Sequence, residues 1–356
     1  TIKRYIANET IPSVKIGGAR RIIKDDILES FVVKMTEEHI YKTEEHNKAL
    51  VEELESPLLV KREIEKEEKK AKLGFNGLTP SEWALLSKNV ICEDDLLNPV
   101  WNDLSSPRNK YQLEHGAVYP VKLAERLIKM YSKEGDTIFD PFLGIGTAII
   151  AAHTLNRHAI GTELNPKFAK IAQNWLNDIE GMFKNDLHYK IINDDCRNLL
   201  NHVRPEKIQL TVTSPPYADF IQKSLKDRET VHKTSIIKNE NNSTVKQYSE
   251  SEQDFGNLPY LEFLEQIKIV LKANWEVTKF GGYSCWVVKD YRDTKNKIPY
   301  IPFHSDLARA GEEVGWKFHD LIIWDQTGHK KVDLIGYPSE YYVNASCSFI
   351  IIFNKK

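Results

Sequence analysis

Short apolar runs alternate with helical patterns through the centre of the chain. Buried strands are predicted at residues 137–142, 159–164, 189–194 and 208–213. Helical periodicity separates them at 147–155 and 166–183, and Asn165 followed by Pro166 is typical of a helix start. Strands that alternate with helices in this way favour a parallel sheet that is covered on both faces.

The same alternation returns after residue 258. Helices are predicted at 260–278 and 302–314, and strands at 282–288, 320–324 and 346–353. No long helical pattern separates the last two strands, so we expect them to pair antiparallel. The pattern therefore predicts an α/β fold with an open sheet of seven strands.

Two stretches lie outside this pattern. Residues 1–110 are mixed and charged, and we predict that they form an N-terminal accessory region ahead of a unit at 111–356. Thr79 begins a predicted helix within that region. Residues 218–258 are polar and rich in lysine, and we predict an inserted loop there.

Composition narrows the class of protein. The 356 residues include 49 lysines and arginines against 51 acidic residues, which gives a formal net charge of -2. This balance excludes a uniformly basic nucleic-acid binder, but it leaves room for a local basic face. Hydrophobic residues make up 41% of the chain, which excludes a disordered protein.

Cysteine use favours a reducing compartment, and hydropathy predicts no membrane span. The four cysteines stand singly, so neither a zinc site nor a disulfide framework is predicted. No apolar run approaches the length of about 18 residues that a membrane span needs. No signal peptide is visible at the start of the sequence, so we expect a cytoplasmic protein with no membrane partner.

Candidate chemistry lies where the predicted strands end, because ligands of an open parallel sheet bind beyond the carboxyl ends of its strands. Residues 140–147 (DPFLGIGT) follow the first strand, and Gly144 and Gly146 allow a tight turn directly before a helix. Glu163 ends the second strand about 20 residues later, where an acidic side chain typically holds two ribose hydroxyls. Residues 214–217 (SPPY) follow the fourth strand. These strand ends predict one nucleoside-binding crevice.

The nucleoside is predicted to carry a positive charge and no phosphate. Ile149 stands where the third glycine or alanine of a dinucleotide fingerprint belongs, and the sequence has no GxxxxGK[ST] phosphate loop. Asp140 and Asp195 add further carboxylates to the crevice. This environment favours S-adenosylmethionine, whose sulfonium is cationic, over a pyrophosphate.

Three segments together resemble the amino-methyltransferases of DNA. They are residues 140–152 (DPFLGIGTAIIAA), 157–164 (RHAIGTEL) and 213–217 (TSPPY), and the resemblance extends from Tyr111 to the C-terminus apart from 218–258. It implies a Rossmann-like, seven-stranded class I methyltransferase sheet with an N-terminal extension and an insertion after the catalytic turn. It also implies methyl transfer from S-adenosylmethionine to the exocyclic amine of a base that is flipped out of a specific site in double-stranded DNA.

The resemblance assigns roles to individual residues. The catalytic turn would consist of Ser214, Pro215, Pro216 and Tyr217. The cofactor would contact His115, Tyr119, Pro120, Asp140, Pro141, Phe142, Gly144, Gly146, Thr147, Glu163 and Asp195. Glu163 would hold the ribose, Asp195 would accept from the adenine amino group, and Asp140 would lie at the methionine part. No metal is needed for this chemistry.

The target base and the segment that reads the DNA sequence stay open at this point. Serine in the first position of the tetrapeptide resembles the cytosine-N4 enzymes, so cytosine N4 is predicted and adenine N6 is the alternative. An RNA amino-methyltransferase and a non-catalytic DNA-binding subunit are further alternatives, and the intact Ser214 and Tyr217 argue against the latter. Sequence readout is expected from 1–110 or from 218–258. A cognate restriction endonuclease would be the partner in a restriction-modification system.

Overall fold

The computed structural model describes residues 13–16, 19–22, 74–91, 109–115, 118–181, 186–218, 253–293, 296–327, 341–343 and 345–356. The chain divides into two compact units, Thr1–Lys72 and Leu73–Lys356. In the first unit, β1 (Ser13–Ile16) pairs antiparallel with β2 (Ala19–Ile22). Most of the predicted insertion at 218–258 lies outside the described residues.

Eight strands of the second unit form one sheet. They are β3 (Val90–Ile91), β4 (Thr137–Asp140), β5 (His158–Thr162), β6 (Tyr189–Ile192), β7 (Ile208–Thr213), β8 (Thr278–Val288), β11 (Lys317–Asp325) and β12 (Cys347–Asn354). Two short strands, β9 (Tyr291–Asp293) and β10 (Ile298–Ile301), form an antiparallel pair of their own. From edge to edge, the strand order of the large sheet is β3-β11-β12-β8-β7-β4-β5-β6.

Helices cover both faces of this sheet. They are α1 (Pro80–Leu86), α2 (Lys110–His115), α3 (Val121–Tyr131), α4 (Thr147–Thr154), α5 (Pro166–Glu180), α6 (Tyr260–Val277) and α7 (Phe303–Glu313). Side chains alternate between the two faces, as a β-strand requires. On β8, Cys285 and Val287 pack in the cluster with α3, α4 and α5, whereas Trp286 and Val288 pack in the cluster with α6 and α7. None of the described helices is both long and apolar enough to span a bilayer.

The direction of β12 shapes the edge of the sheet that carries the candidate site. It pairs antiparallel with both β11 and β8, while the other neighbouring strands pair in parallel. The predicted α/β class and the predicted antiparallel pairing of the last two strands are therefore confirmed. Because β12 runs in reverse, its first residues lie at the edge where the other strands end.

The sheet has one strand more than the seven predicted, and this strand comes from the N-terminal side of the predicted boundary. β3 pairs in parallel with β11, and its Ile91 is fully buried. Nearby, Asn76 Nδ2 donates to the Met130 carbonyl over 2.8 Å. Two residues are too few to show a hydrophobic period, so only pairing with the sheet reveals this strand. The second compact unit, Leu73–Lys356, includes this strand.

Candidate active site

A cavity of about 460 Å³ lies at the carboxyl edge of the sheet, where an open α/β sheet is expected to bind its ligand. The segments that follow β4, β5 and β7 open into it, so the structure brings together side chains that are far apart in the sequence. The predicted site residues that line this cavity are Tyr119, Pro141, Phe142, Gly144, Thr147, Glu163, Asp195, Ser214, Pro215, Pro216 and Tyr217.

Four predicted cofactor residues have other positions. Pro120 is buried at the N-terminus of α3, and Gly146 immediately precedes α4. Asp140 is the last residue of β4 and is only 1% exposed. His115 ends α2, but its side chain lies outside the described residues. Neither Pro120, Gly146 nor Asp140 is among the described residues that line the cavity.

Gly146 determines the path of the turn between β4 and α4. Its φ of 97° lies in the left-handed region, which glycine adopts without strain. A Cβ at this position would lie 3.1 Å from the Cβ of Ala172 on α5. Glycine therefore lets the turn pass close to α5 and begin α4 at the cavity wall.

Glu163 joins this turn to the end of β5. Its Oε2 accepts the Gly144 N–H over 2.7 Å, and its Oε1 accepts the Asn165 N–H over 2.8 Å. Burial raises the pKa of Glu163 to about 7, although both hydrogen bonds oppose this shift. The two carboxylate oxygens are held in fixed positions beside the cavity, which is what a pair of ribose hydroxyls requires of an acceptor.

Asp140 is buried outside the cavity lining, and its carboxylate accepts hydrogen bonds from three residues around it. Its Oδ1 accepts the Thr213 hydroxyl over 2.6 Å and the Phe142 N–H over 3.0 Å. Its Oδ2 accepts the Tyr119 hydroxyl over 3.1 Å. Burial raises the pKa of Asp140 to about 6. The sequence predicted contact between Asp140 and the methionine part of the cofactor, whereas the structure gives its carboxylate three partners within the protein.

Asp195 has a cationic partner that the sequence did not predict. The Arg197 guanidinium forms a salt bridge with its carboxylate, and the Arg197 Nε lies 3.0 Å from both carboxylate oxygens. The same guanidinium donates to Gln266 Oε1 over 2.6 Å and covers the Phe255 ring at 5.2 Å. Arg197 therefore holds Asp195 and Phe255 in one arrangement at the cavity wall.

Asp254 and Phe255 also line the cavity, and sequence reasoning missed both. Asp254 is 6% exposed, and its Oδ1 accepts the Gly256 N–H over 2.8 Å at the start of a 3₁₀ helix, Phe255–Asn257. The only sequence signal was an Asp before a short turn, which is common in loops and indicates no particular chemistry. The chain fold alone brings this segment back to the end of β5.

The SPPY turn directly follows β7, and all four of its residues line the cavity. Thr213, the residue before it, lies opposite Trp286 of β8 in the sheet register. The Tyr217 ring packs edge-on against Phe303 of α7, with 6.0 Å between ring centroids. Burial raises the pKa of Tyr217, and a hydrogen bond with the Ser214 side chain opposes the shift. The catalytic turn predicted from the sequence is therefore packed on one side and open to the cavity on the other.

The cavity lining fits a cationic nucleoside. Glu163, Asp195 and Asp254 contribute carboxylates, and none of the described residues that line the cavity is a lysine, arginine or histidine. Arg197 is already paired with Asp195, so a pyrophosphate would find no unpaired positive side chain in the described lining, whereas Glu163 and Asp254 would attract a sulfonium. The described residues contain no cluster of three or more side chains suited to a metal ion. The donor set thus agrees with the predicted S-adenosylmethionine.

Part of the sequence is similar to those of known methyltransferases. The DNA methylase family model matches residues 24–174. The type II methyltransferase M.MthZI of Methanothermobacter thermautotrophicus is 34% identical over 158 residues, which are 43% of this chain and 40% of that protein. The orphan methyltransferase M.BamHII of Bacillus amyloliquefaciens is 42% identical over 73 residues, which are 20% of this chain and 28% of that protein. The resemblance to the DNA amino-methyltransferases is confirmed.

This family match also supports S-adenosylmethionine as the cofactor. The chain spans less than half of the length of the curated relatives that it matches first. Among solved structures, it is similar to a TehB-like SAM-dependent methyltransferase from Corynebacterium glutamicum, with a TM-score of 0.36 and 12% identity. That similarity covers 65% of this chain and 87% of the other.

Proposed function

We propose that this protein transfers a methyl group from S-adenosylmethionine to the exocyclic amine of a base in double-stranded DNA. One observation carries the proposal: the SPPY turn opens into the same cavity as Glu163 and the glycine turn after β4. A cofactor at Glu163 and a base at Ser214 would share one chamber, which places the methyl donor and the amine together.

Ser214 and Pro215 would activate the amine. The lone pair of an aromatic amine is delocalised into the ring, so the nitrogen is a poor nucleophile. Hydrogen bonds from its two N–H groups to the Ser214 hydroxyl and the Pro215 carbonyl draw the nitrogen towards a tetrahedral form. Two consecutive prolines hold these acceptors in place before the reaction begins.

The bound cofactor supplies an electrophilic methyl group on a positively charged sulfur. The amine nitrogen forms a bond to this carbon as the bond from carbon to sulfur breaks, and the electron pair of that bond stays on sulfur. The nitrogen becomes positively charged and releases one proton to solvent. Tyr217, held by Phe303, offers a ring face on which the extruded base stacks.

The finer assignment is methylation of cytosine N4 within a restriction-modification system. Serine at position 214 supports cytosine, and the type II methyltransferases among the relatives support a modification role. A cognate endonuclease would then be the partner. DNA contact by residues 1–110 or 218–258 is part of the same proposal, and most of these residues lie outside the described ranges.

The test is incubation of the protein with labelled S-adenosylmethionine and unmethylated genomic DNA. Mass spectrometry of the digested DNA identifies the methylated nucleoside, and sequencing gives its context. We expect N4-methylcytosine, and N6-methyladenine would correct the target base. Total absence of label from DNA would contradict the proposal.

Ser214→Ala is the matched variant for this assay. We expect methyl transfer to fall roughly 10²- to 10³-fold, because one of the two acceptors for the amine is lost. Calorimetric titration should show unchanged affinity for S-adenosylmethionine. Equal loss of transfer and of cofactor affinity would contradict the role of Ser214.

A further inference from the structure

Residues of β8, β11 and β12 also line the cavity, and the proposed methyl transfer gives none of them a role. Four residues there line it: Val287 near the end of β8, Trp324 near the end of β11, Gln326 just after β11, and Ser348 at the start of β12. Sequence reasoning gave none of these four residues a role. Their position follows from the reversed direction of β12, which brings its first residues to the carboxyl edge.

The order of the strands divides the cavity into two sides. Glu163, Asp195 and the glycine turn follow β4, β5 and β6, all on one side of β7. Ser348 and Gln326 lie on β12 and after β11, on the other side of β7. A cofactor held at Glu163 with its methyl group near Ser214 leaves the second side for the methyl acceptor.

Ser348 lies on the second strand beyond the one that leads into the SPPY turn. Strands in a sheet are about 4.8 Å apart, so β12 lies about 10 Å from β7 across the intervening β8. Ser348 is opposite Trp324 in the register of β12 and β11. Val287 and the Trp324 ring give this side apolar surface on which the faces of a flat ring can pack, and the Trp324 Nε1 is a buried donor without a partner among the described residues.

Ser348 carries a polar group that lacks a partner among the described residues, as does the buried indole nitrogen of Trp324 opposite it. The residue is 6% exposed, and its side chain has no hydrogen-bond partner among the described residues. Ser348 is one of the described residues that line the cavity. A hydroxyl in such a place is satisfied by water or by a ligand.

We propose that Ser348 donates a hydrogen bond to the ring nitrogen next to the exocyclic amine of the target base, and that Gln326 lies at the adjoining edge. That nitrogen is N3 in cytosine and N1 in adenine, and in both bases it is an acceptor. The amine would be held from one side by Ser214 and the ring from the other by Ser348. This inference rests on the proposed function and adds a substrate contact to it.

The test combines Ser348→Ala with a base that lacks the acceptor. Duplexes carry either the normal target base or its analogue with carbon at that ring position, 3-deazacytosine or 1-deazaadenine as the target requires. With the normal base, we expect Ser348→Ala to lower kcat/KM roughly tenfold. The analogue should lower kcat/KM of the unaltered protein by a similar factor, but it should not lower that of Ser348→Ala further.

Two controls make the outcome specific. Ser346→Ala removes a hydroxyl that bonds Thr327 outside the cavity, so kcat/KM should stay unchanged. Thermal unfolding should show that Ser348→Ala keeps the stability of the unaltered protein, because no protein partner of the hydroxyl is lost. Affinity for S-adenosylmethionine should also be unchanged.

Independent losses from Ser348→Ala and from the analogue would overturn the inference, as would unchanged kcat/KM in Ser348→Ala. A lower affinity for S-adenosylmethionine in this variant would also overturn it, because Ser348 would then contact the cofactor. In each of these cases the unaltered protein still methylates DNA and the proposed function stands. No transfer by the unaltered protein to any duplex would overturn the proposed function and this inference together.

Discussion

The Thr213 hydroxyl donates to the Asp140 carboxylate over 2.6 Å, and both side chains are buried. Asp140 ends the strand before the glycine turn, and Thr213 is the residue before Ser214. The same carboxylate accepts the Tyr119 hydroxyl. One buried acid thus links the loop expected to hold the cofactor, the SPPY turn and the segment before α3.

Thr213→Val should break this link at constant side-chain volume. We expect a loss of about 2 kcal/mol in the free energy of unfolding, because the hydrogen bond is buried and its acceptor is a carboxyl group. Methyl transfer should fall between roughly tenfold and a hundredfold, because the Ser214 acceptor is displaced. Chemical denaturation and single-turnover kinetics measure the two effects.

Thr211→Val is the matched control for Thr213→Val. Thr211 lies on the same strand as Thr213, and its hydroxyl donates a buried hydrogen bond to Asn274 of α6. The substitution removes that bond and leaves Asp140 untouched. We expect a comparable loss of stability with little change in single-turnover rate. Equal slowing in both variants would show that stability, and not the link to Asp140, governs the rate.

Gly146→Ala should disturb the start of α4. The new Cβ meets Ala172 and the backbone is held at positive φ, so we expect a loss of about 1–3 kcal/mol in stability and weaker cofactor binding. Gly135→Ala provides the comparison, since Gly135 also has positive φ but a Cβ added there would meet no atom within 4 Å. Unchanged cofactor affinity in Gly146→Ala, measured by calorimetry, would contradict the assignment of this turn.

Affinity for S-adenosylmethionine should increase as the pH rises through about 7. The pKa of Glu163 is raised to about 7 by burial, so the carboxyl is largely protonated at pH 6 and ionised at pH 8. The ionised form accepts both ribose hydroxyls and attracts the sulfonium, so binding favours it. Calorimetric titrations from pH 6 to pH 8 measure the trend.

Glu163→Gln isolates the group responsible for this pH dependence. We expect weaker binding than the unaltered protein at pH 8 and a flatter profile across neutral pH. A profile that keeps its full slope in Glu163→Gln would assign the titration to another group, with Asp140 the first to consider because burial raises its pKa to about 6.

Arg197→Ala should weaken cofactor binding several-fold. The variant frees the Asp195 carboxylate and removes the guanidinium from the Phe255 ring, so the wall predicted to face the adenine loses its order. Arg197→Lys should recover only part of the affinity, because lysine lacks the planar fork that bonds both carboxylate oxygens. Cofactor affinities equal to that of the unaltered protein would show that Asp195 needs no such support.

Local patterns were sufficient for much of the fold. The alternation of apolar runs and helices predicted that β4, β5, β6 and β7 are parallel strands of one sheet, and they are. The predicted antiparallel pairing of β11 with β12 is also confirmed. The glycine turn, Glu163 and the SPPY turn were identifiable because each is a short contiguous motif at a strand end. Such signals depend only on neighbouring residues, so the sequence carries them directly.

The tertiary structure decided what lies opposite those motifs. Arg197 as the partner of Asp195, Asp254 in the cavity wall and Ser348 beyond Ser214 all depend on which strands and turns become neighbours. The sequence by itself therefore determined the class of fold, the motifs and the type of cofactor. Only the folded sheet decided which carboxylates line the cavity and which, like Asp140, do not, because burial and long-range pairing depend on residues that are distant along the chain.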